Sequence, residues 1–277
     1  MMNIRNKFKN LFIYKPTVPY EFVLLENNSN SPDNNPPSEF LPDCDVFDSL
    51  DKNYDYLRVQ YNSLINSDII LRPFTININN KSYNSLFVGI DGMFSSDLVN
   101  NYLLRPLMEN KSEINIKDNK SKNKGTVNIE DYIFNKILPQ NTVKKINKFS
   151  EITKYVSSGD CALFVDTLKI AFVIDVKGFE SRSITTPKNE IVVRGSQEAF
   201  VERLRTNTSI LRRLINSSEL IIENVNIGTV SKTNIAICYM KNIANASLVS
   251  EVKFRINNID VDYANKNGIR ESSEKTL

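Results

Sequence analysis

Two arginines, Arg182 and Arg194, are the side chains best suited to bind an anion. Arg182 lies in the polar cluster at residues 178–183, after a predicted strand ending at Val176, and Arg194 opens a second polar segment. A guanidinium group holds a carboxylate or phosphate through two parallel hydrogen bonds. We therefore take both arginines as candidate ligand-binding residues.

Catalysis has little support among the remaining side chains. The chain contains no histidine, which excludes Ser-His-Asp and Cys-His nucleophile sites and the HExxH metal site. The carboxylates of Asp166, Asp175 and Glu180 have no neighbouring group at a spacing that completes an acid–base pair or a metal site. The three cysteines are widely separated, so they indicate neither a disulfide framework nor a CxxC site. We predict that the chain is not an enzyme and takes no cofactor or metal.

Composition indicates a folded chain without nucleic-acid or membrane-spanning features. The 277 residues are 41% hydrophobic and 24% charged, with a net charge of +3. Such a mild charge does not indicate a nucleic-acid partner. No run of about 20 apolar residues is present, so we expect the 277-residue chain alone to be soluble.

Residues 1–50 differ in charge and composition from the rest. Residues 1–15 carry four basic side chains and no acid, with apolar residues at helical spacing. Such a segment is either an anchor on anionic lipid or a frayed terminus. Residues 21–51 carry eight acids and no Lys or Arg, which predicts a disordered linker.

Apolar periodicity predicts the elements that follow. A helix beginning near Asp51 precedes two strands, at 69–78 and 82–90, and a helix that Pro106 stops. Another helix is predicted at 129–138.

The middle of the chain predicts a further helix and two buried strands. The helix spans 150–157, with Gly159 as its C-terminal glycine. The strands at 161–165 and 170–176 are almost continuously apolar, which predicts burial on both faces.

An internal repeat organises the chain. At a constant offset of 150, residues 69–100 and 219–250 show the same order of strand, strand and helix. We predict the α/β class, with two mixed subdomains at 51–145 and 146–277, each built on this unit.

A polar helix is predicted from Ser196 onward. Four apolar residues form one stripe, which we expect to face the core: Phe200, Leu204, Leu211 and Ile215. Five polar residues fall roughly opposite, on a predicted outer face: Glu198, Glu202, Arg205, Ser209 and Arg212. That face is either a solvated, salt-bridged surface or a subunit interface formed by Arg205, Arg212 and Arg213.

Asn207 interrupts the apolar stripe. A buried amide needs hydrogen-bond partners, so we expect Asn207 to bond a neighbouring loop backbone, such as that around Arg194 and Gly195. We interpret Gly195, Ser196 and Asn207 as a structural pin, with a ligand contact as the alternative.

Residues 192–215, VVRGSQEAFVERLRTNTSILRRLI, resemble the signature of the A subunits of GerA-type spore germinant receptors. Segments 85–107, 158–195 and 230–252 also resemble the hydrophilic N-terminal region of this family, which stage V sporulation protein AF shares. The sequence departs from the signature at Ser196, where the family usually has proline, and also at Gln197 and Ala199.

The resemblance implies a subunit of a nutrient-sensing complex in the inner membrane of endospores. It implies two α/β subdomains on the spore-core side, A-, B- and C-type receptor subunits as partners, and a nutrient as ligand. The family's membrane-spanning helices are missing from the sequence, so membrane attachment is expected through those missing spans or the basic N-terminus.

Two hypotheses follow from the residues and the resemblance. The first is an assembly and signal-transmitting module that docks neighbouring subunits. The second is a nutrient-binding module with its site in the cleft between the subdomains, contacted by Arg182 and Arg194.

Overall fold

The computed structural model describes residues 43–78, 81–109, 129–138, 142–178, 200–228 and 232–259, and the backbone of 263–265 and 268–270. The predicted disordered segment lies outside these ranges up to residue 42. From Asp43 onward that prediction is wrong. Val46 is buried, its amide bonds the carbonyl of Asn147 (2.7 Å), and the Phe149 amide bonds the carbonyl of Cys44 (3.1 Å).

A five-stranded antiparallel sheet forms the centre of the larger part of the chain. Its strands are β1 (Ile69–Ile78), β2 (Lys81–Ile90), β3 (Val143–Ile146), β4 (Cys161–Val165) and β5 (Ala171–Ile174). Their spatial order is β1-β2-β4-β5-β3. The register aligns Ile69 with Ile90 across β1 and β2, and Ser85 with Val165 across β2 and β4.

Helices pack on both faces of this sheet. One face meets α1 (Leu50–Gln60) and α5 (Phe149–Ser157). The other meets a helical segment made of α2 (Ser96–Val99), a π-helical turn (Asn100–Leu104) and α3 (Arg105–Glu109), followed along the chain by α4 (Ile129–Tyr132) with its π-helical continuation (Ile133–Ile137). Every residue of β4 and β5 is buried, which confirms the prediction of burial on both faces.

Pro106 does not end its helix, contrary to the prediction. The Arg105 amide bonds the carbonyl of Asn100, five residues back, so the regular ladder is already widened at this point. Pro106 follows this wide turn and has no amide hydrogen to place, and the helix continues to Glu109.

The second strand-strand-helix unit is present where the repeat predicts it. It consists of β6 (Leu220–Ile227), β7 (Thr233–Met240) and α7 (Ala246–Asn257), preceded by α6 (Leu204–Leu214). The helices of the two copies begin at equivalent positions, Ser96 and Ala246, and each has a side-chain cap, from Ser95 and Asn245. The mixed α/β class built on two such units is confirmed, and a short hairpin of β8 (Tyr263–Asn265) and β9 (Gly268–Arg270) follows.

The chain does not divide at the predicted boundary between residues 145 and 146. That boundary lies inside β3, which pairs with β5 in the sheet that β1 and β2 also join. By their contacts, Phe40–Asn224 and Ala236–Lys241 form one compact unit, and Val225–Ile235 and Asn242–Leu277 belong to another.

Candidate functional site

Helix α6 presents the opposite face to the one predicted. Five of its residues are buried: Thr206, Thr208, Ser209, Ile210 and Arg212. All of them except Ile210 are polar. The predicted core stripe is instead half-buried at Leu204 and Leu211 and exposed at Phe200 and Ile215. The expectation of an apolar inner face is therefore wrong, because polar partners elsewhere in the chain satisfy this side of the helix.

Arg212 is the centre of that polar inner face and is 1% exposed. Its Nε donates to Oδ2 of Asp68 and its Nη2 to Oδ1 of the same carboxylate, both at 2.8 Å. Nη2 also donates to Oδ1 of Asn66 at 2.9 Å, and Nη1 donates to the carbonyl of Ser217 at 3.4 Å. A side chain this deeply buried cannot contact a partner subunit, so the predicted interface role of Arg212 is wrong.

Asn66 connects the arginine to the beginning of β6. Its Nδ2 donates to the carbonyls of Tyr61 and Leu220, each at 3.1 Å, and its Oδ1 accepts from the Ile222 amide at 2.9 Å. The neighbouring Ser67 amide donates to the Ile222 carbonyl at 2.8 Å. Asn66, Asp68 and Arg212, which we call the arginine cluster, therefore join α6, β6 and the segment that leads into β1.

All three residues of the arginine cluster are buried. Tyr61 beside it is fully buried, and this burial raises the pKa of its hydroxyl, while a hydrogen bond with Ser157 and the charge of Arg212 act in the opposite direction. Loss of either partner of this buried ion pair would leave an uncompensated buried charge, so the observed arrangement is strongly favoured. Sequence reasoning missed Asn66 and Asp68, which carry no local signal beyond preceding a strand.

A small cavity lies beside the other end of α6. Its volume is about 250 Å³, and its lining is mostly small and polar: Gly92, Phe94, Ser95, Ser96, Asp97, Gly178, Arg205, Thr206 and Ser209. Arg205 is half-exposed at its edge and forms an ion pair with Asp91. Gly92 has a φ of 84° and lies against the Arg205 side chain, so this close approach of turn and helix requires glycine.

Asn207 bonds a loop backbone at Val201. Its Oδ1 accepts from the Val201 amide and its Nδ2 donates to the Val201 carbonyl, both at 2.7 Å. The other members of the predicted pin, Gly195 and Ser196, lie outside the described residues, as do Arg182 and Arg194. Helix α6 begins at Leu204, after an extended Arg203, so the prediction of a helix from Ser196 onward is wrong at residues 200–203. Arg213 is half-buried on α6.

The described ranges contain no group of three or more acidic or cysteine side chains placed to hold a metal ion. Within the same ranges, no helix has both the length and the apolar character needed to cross a membrane.

Known proteins similar to this chain identify its family. The family described as Bacillus/Clostridium GerA spore germination protein matches residues 55–274. The chain is 40% identical over 120 residues to stage V sporulation protein AF of Bacillus subtilis (strain 168), covering 43% of this chain and 24% of that protein. It is 28% identical over 214 residues to spore germination protein KA of the same strain, covering 77% of this chain and 37% of that protein.

A solved structure resembles the chain over most of its length. This is the N-terminal domain of the A subunit of the Bacillus megaterium spore germinant receptor GerK3, with a TM-score of 0.59 and 25% identity, covering 79% of this chain and 74% of that one. The chain covers only 24% of the length of stage V sporulation protein AF and 37% of the length of spore germination protein KA. It belongs to the GerA family of spore germination proteins, and this homology supports a role in spore germination.

Proposed function

We propose that this chain is an assembly and signal-transmitting module of a germinant receptor A subunit. On this proposal it lies on the spore-core side of the inner membrane and docks neighbouring receptor subunits. The observation that carries the proposal is a pair of exposed apolar side chains at the C-terminal end of α6, Leu214 and Ile215, which we call the outward stripe. Exposed apolar groups that lie together are typical of interaction surfaces.

The outward stripe has the composition of a small docking surface. Leu214 is 66% exposed and Ile215 is 37% exposed. Arg213, half-buried on the same helix, adds an arginine of the kind enriched at interfaces. The arginine cluster fixes α6 from the inner side, so force applied to the stripe would pass to β6 and to the segment before β1.

Charged substitutions in the stripe test the docking. The variant Leu214→Asp/Ile215→Asp should reduce co-purification of B- and C-type subunits by at least tenfold, because a carboxylate cannot be desolvated at an apolar contact. The matched control is Leu64→Asp, which changes another highly exposed leucine. Both variants should keep the parental melting temperature, and normal recovery of the subunits by the stripe variant would refute the proposal.

The cavity beside Arg205 favours a second candidate function, the binding of a small nutrient. Amino acids, sugars and nucleosides would be titrated while the amide chemical shifts of Gly92 and Ser95 are followed. Binding should shift these signals, and Arg205→Ala should abolish the shifts, whereas Arg58→Ala, at another exposed arginine, should not. The absence of shifts at millimolar concentrations would exclude this candidate.

A further inference from the structure

Two arginine–aspartate pairs of unequal burial hold helix α6 against the sheet. Arg205 pairs with Asp91, and these side chains are 49% and 37% exposed. Arg212 pairs with Asp68, and these side chains are only 1% and 9% exposed. Seven residues separate the two arginines, so they lie on one face of the helix, about two turns apart. One end of α6 is therefore held by a pair in contact with water, and the other end by a buried pair.

The two aspartates lie side by side at one end of a strand pair. Asp68 directly precedes β1 and Asp91 directly follows β2, and the Asp91 amide donates to the Asp68 carbonyl at 2.7 Å. The adjacent residues Ile69 and Ile90 are partners in the register of β1 and β2. The sheet thus holds both anchor points together, so separation of α6 from either aspartate must come from a movement of the helix.

The buried side chains in the N-terminal half of α6 are polar, and their hydrogen bonds lie within the helix. The Thr208 hydroxyl donates to the Arg205 carbonyl at 2.9 Å, and the Ser209 hydroxyl donates to the Thr206 carbonyl at 2.8 Å. Both bonds would remain intact if this half of the helix moved away from the sheet. Such a movement exposes little apolar surface, so the Arg205–Asp91 pair makes the main contribution against it.

The half of α6 that would move forms one wall of the cavity. Three of its residues line the cavity, and the opposite wall comes from the turn after β2 and the start of α2. Asn207 bonds the amide and the carbonyl of Val201, so the backbone before the helix would move with it. Salt screens an exposed ion pair much more than a buried one. We propose that residues 201–209 form a lid on this cavity, with the buried Arg212–Asp68 pair as its hinge and the exposed Arg205–Asp91 pair as a latch that salt weakens.

Thiol labelling measures the opening of the lid. In the full chain with Cys44→Ser and Cys238→Ser, the substitution Ser209→Cys places a thiol at a cavity-lining position that is 2% exposed. The labelling rate by a bulky maleimide dye, normalised to that of free glutathione, is measured there and at the buried Cys161, which reports unfolding of the sheet. From about 20 mM to about 500 mM KCl, labelling at position 209 should accelerate about twofold to fivefold, as expected for the loss of one exposed ion pair. Labelling of Cys161 should not accelerate.

Substitutions in the latch provide the controls. Asp91→Asn, and independently Arg205→Gln, should give the fast labelling rate at both salt concentrations. The exchanged pair Asp91→Arg/Arg205→Asp should restore slow labelling at low salt. Glu109→Gln breaks another exposed ion pair and should leave labelling at position 209 unchanged. Labelling at position 209 that is independent of salt, or that only follows unfolding of the sheet, would overturn the proposal.

Amide hydrogen exchange tests the position of the hinge. In Asp91→Asn, exchange should accelerate at residues 207–209 and keep the parental rate at residues 212–214, next to the buried pair. Equal acceleration at both ends would show that the whole helix detaches, which would overturn the hinge at Arg212. These rates do not depend on subunit docking or on which molecule enters the cavity, so the lid and the proposed function are tested separately.

Discussion

Folding removes the Arg212 guanidinium from water, and hydrogen bonds to its neighbours must replace the lost free energy of hydration. Asp68 supplies a two-point ion pair, and Asn66 and the Ser217 carbonyl accept further hydrogen bonds. The helical pattern of α6 could not predict this, because the neutralising carboxylate lies 144 residues away in sequence. Asn207 was easier to interpret, because an amide within an apolar stripe must find a backbone partner wherever the loop lies.

Removing Arg212 should be strongly destabilising. In Arg212→Met, the buried Asp68 carboxylate loses its counter-charge, so we expect the free energy of unfolding to fall by about 3–5 kcal/mol. Adding Asp68→Leu should recover much of the loss, because no charge then remains buried. Urea denaturation measures all three proteins. The control Arg105→Met removes an exposed pair with Glu109 and should cost about 0–1 kcal/mol, and an equally small loss for Arg212→Met would contradict the prediction.

Asp160 should give the protein a measurable pH dependence. Burial raises the pKa of this carboxyl, although the Lys177 ammonium at 2.9 Å opposes the shift. Because the folded-state pKa lies above the unfolded value, the stabilisation from protonated Asp160 is present at low pH and is lost as the pH rises through the folded-state pKa. The difference in melting temperature between Asp160→Asn and the parent should therefore shift in favour of the variant as the pH rises from about 3.5 to about 7. A constant difference across this range would contradict the assignment.

At the scale of elements, the strands with a clear apolar period were predictable to within two residues at each end, whereas α6 begins eight residues after its predicted start. β1 has the predicted bounds, and β2 and β4 agree within one residue. β3, with the sequence VKKI, was missed because two of its four residues are charged and exposed, and its pairing with β5 is a long-range event. Apolar periodicity predicts where a strand or helix lies, whereas the pairing of an edge strand and the face that a helix buries depend on partners distant in sequence.

The approach of the segment after β5 to the N-terminus of α2 should require glycine at position 178. A Cβ at Gly178 would overlap the Ser95 Cβ and lie 2.8 Å from the Ser95 Cα and backbone nitrogen, and backbone atoms cannot move aside cheaply. Gly178→Ala should therefore lower the free energy of unfolding by about 1–3 kcal/mol. Thermal melts would measure this loss, and Ser96→Ala, at the adjacent exposed position, should be almost neutral in them. If the two variants melt together, the packing argument fails.

For the molecule as a whole, stability should be unevenly distributed. β4 and β5 are buried at every residue, whereas most of α7 is half-buried or exposed. Amide hydrogen exchange followed by mass spectrometry should show the slowest exchange in β4 and β5, and exchange in α7 at least a hundredfold faster. Uniform protection along the chain would show instead that the whole chain opens only as a single cooperative unit.

The order of strands in the central sheet also sets the order of events on the ribosome. β2 lies next to β4 in space, yet about 70 residues separate the end of the one from the start of the other. At roughly 5–20 residues per second of synthesis, the β1–β2 hairpin waits on the order of 4–14 s for its neighbour. During that interval the apolar edge of β2 is a template for pairing with other nascent chains. Slow translation between residues 90 and 161 would lengthen this exposure and lower the yield of correctly folded protein.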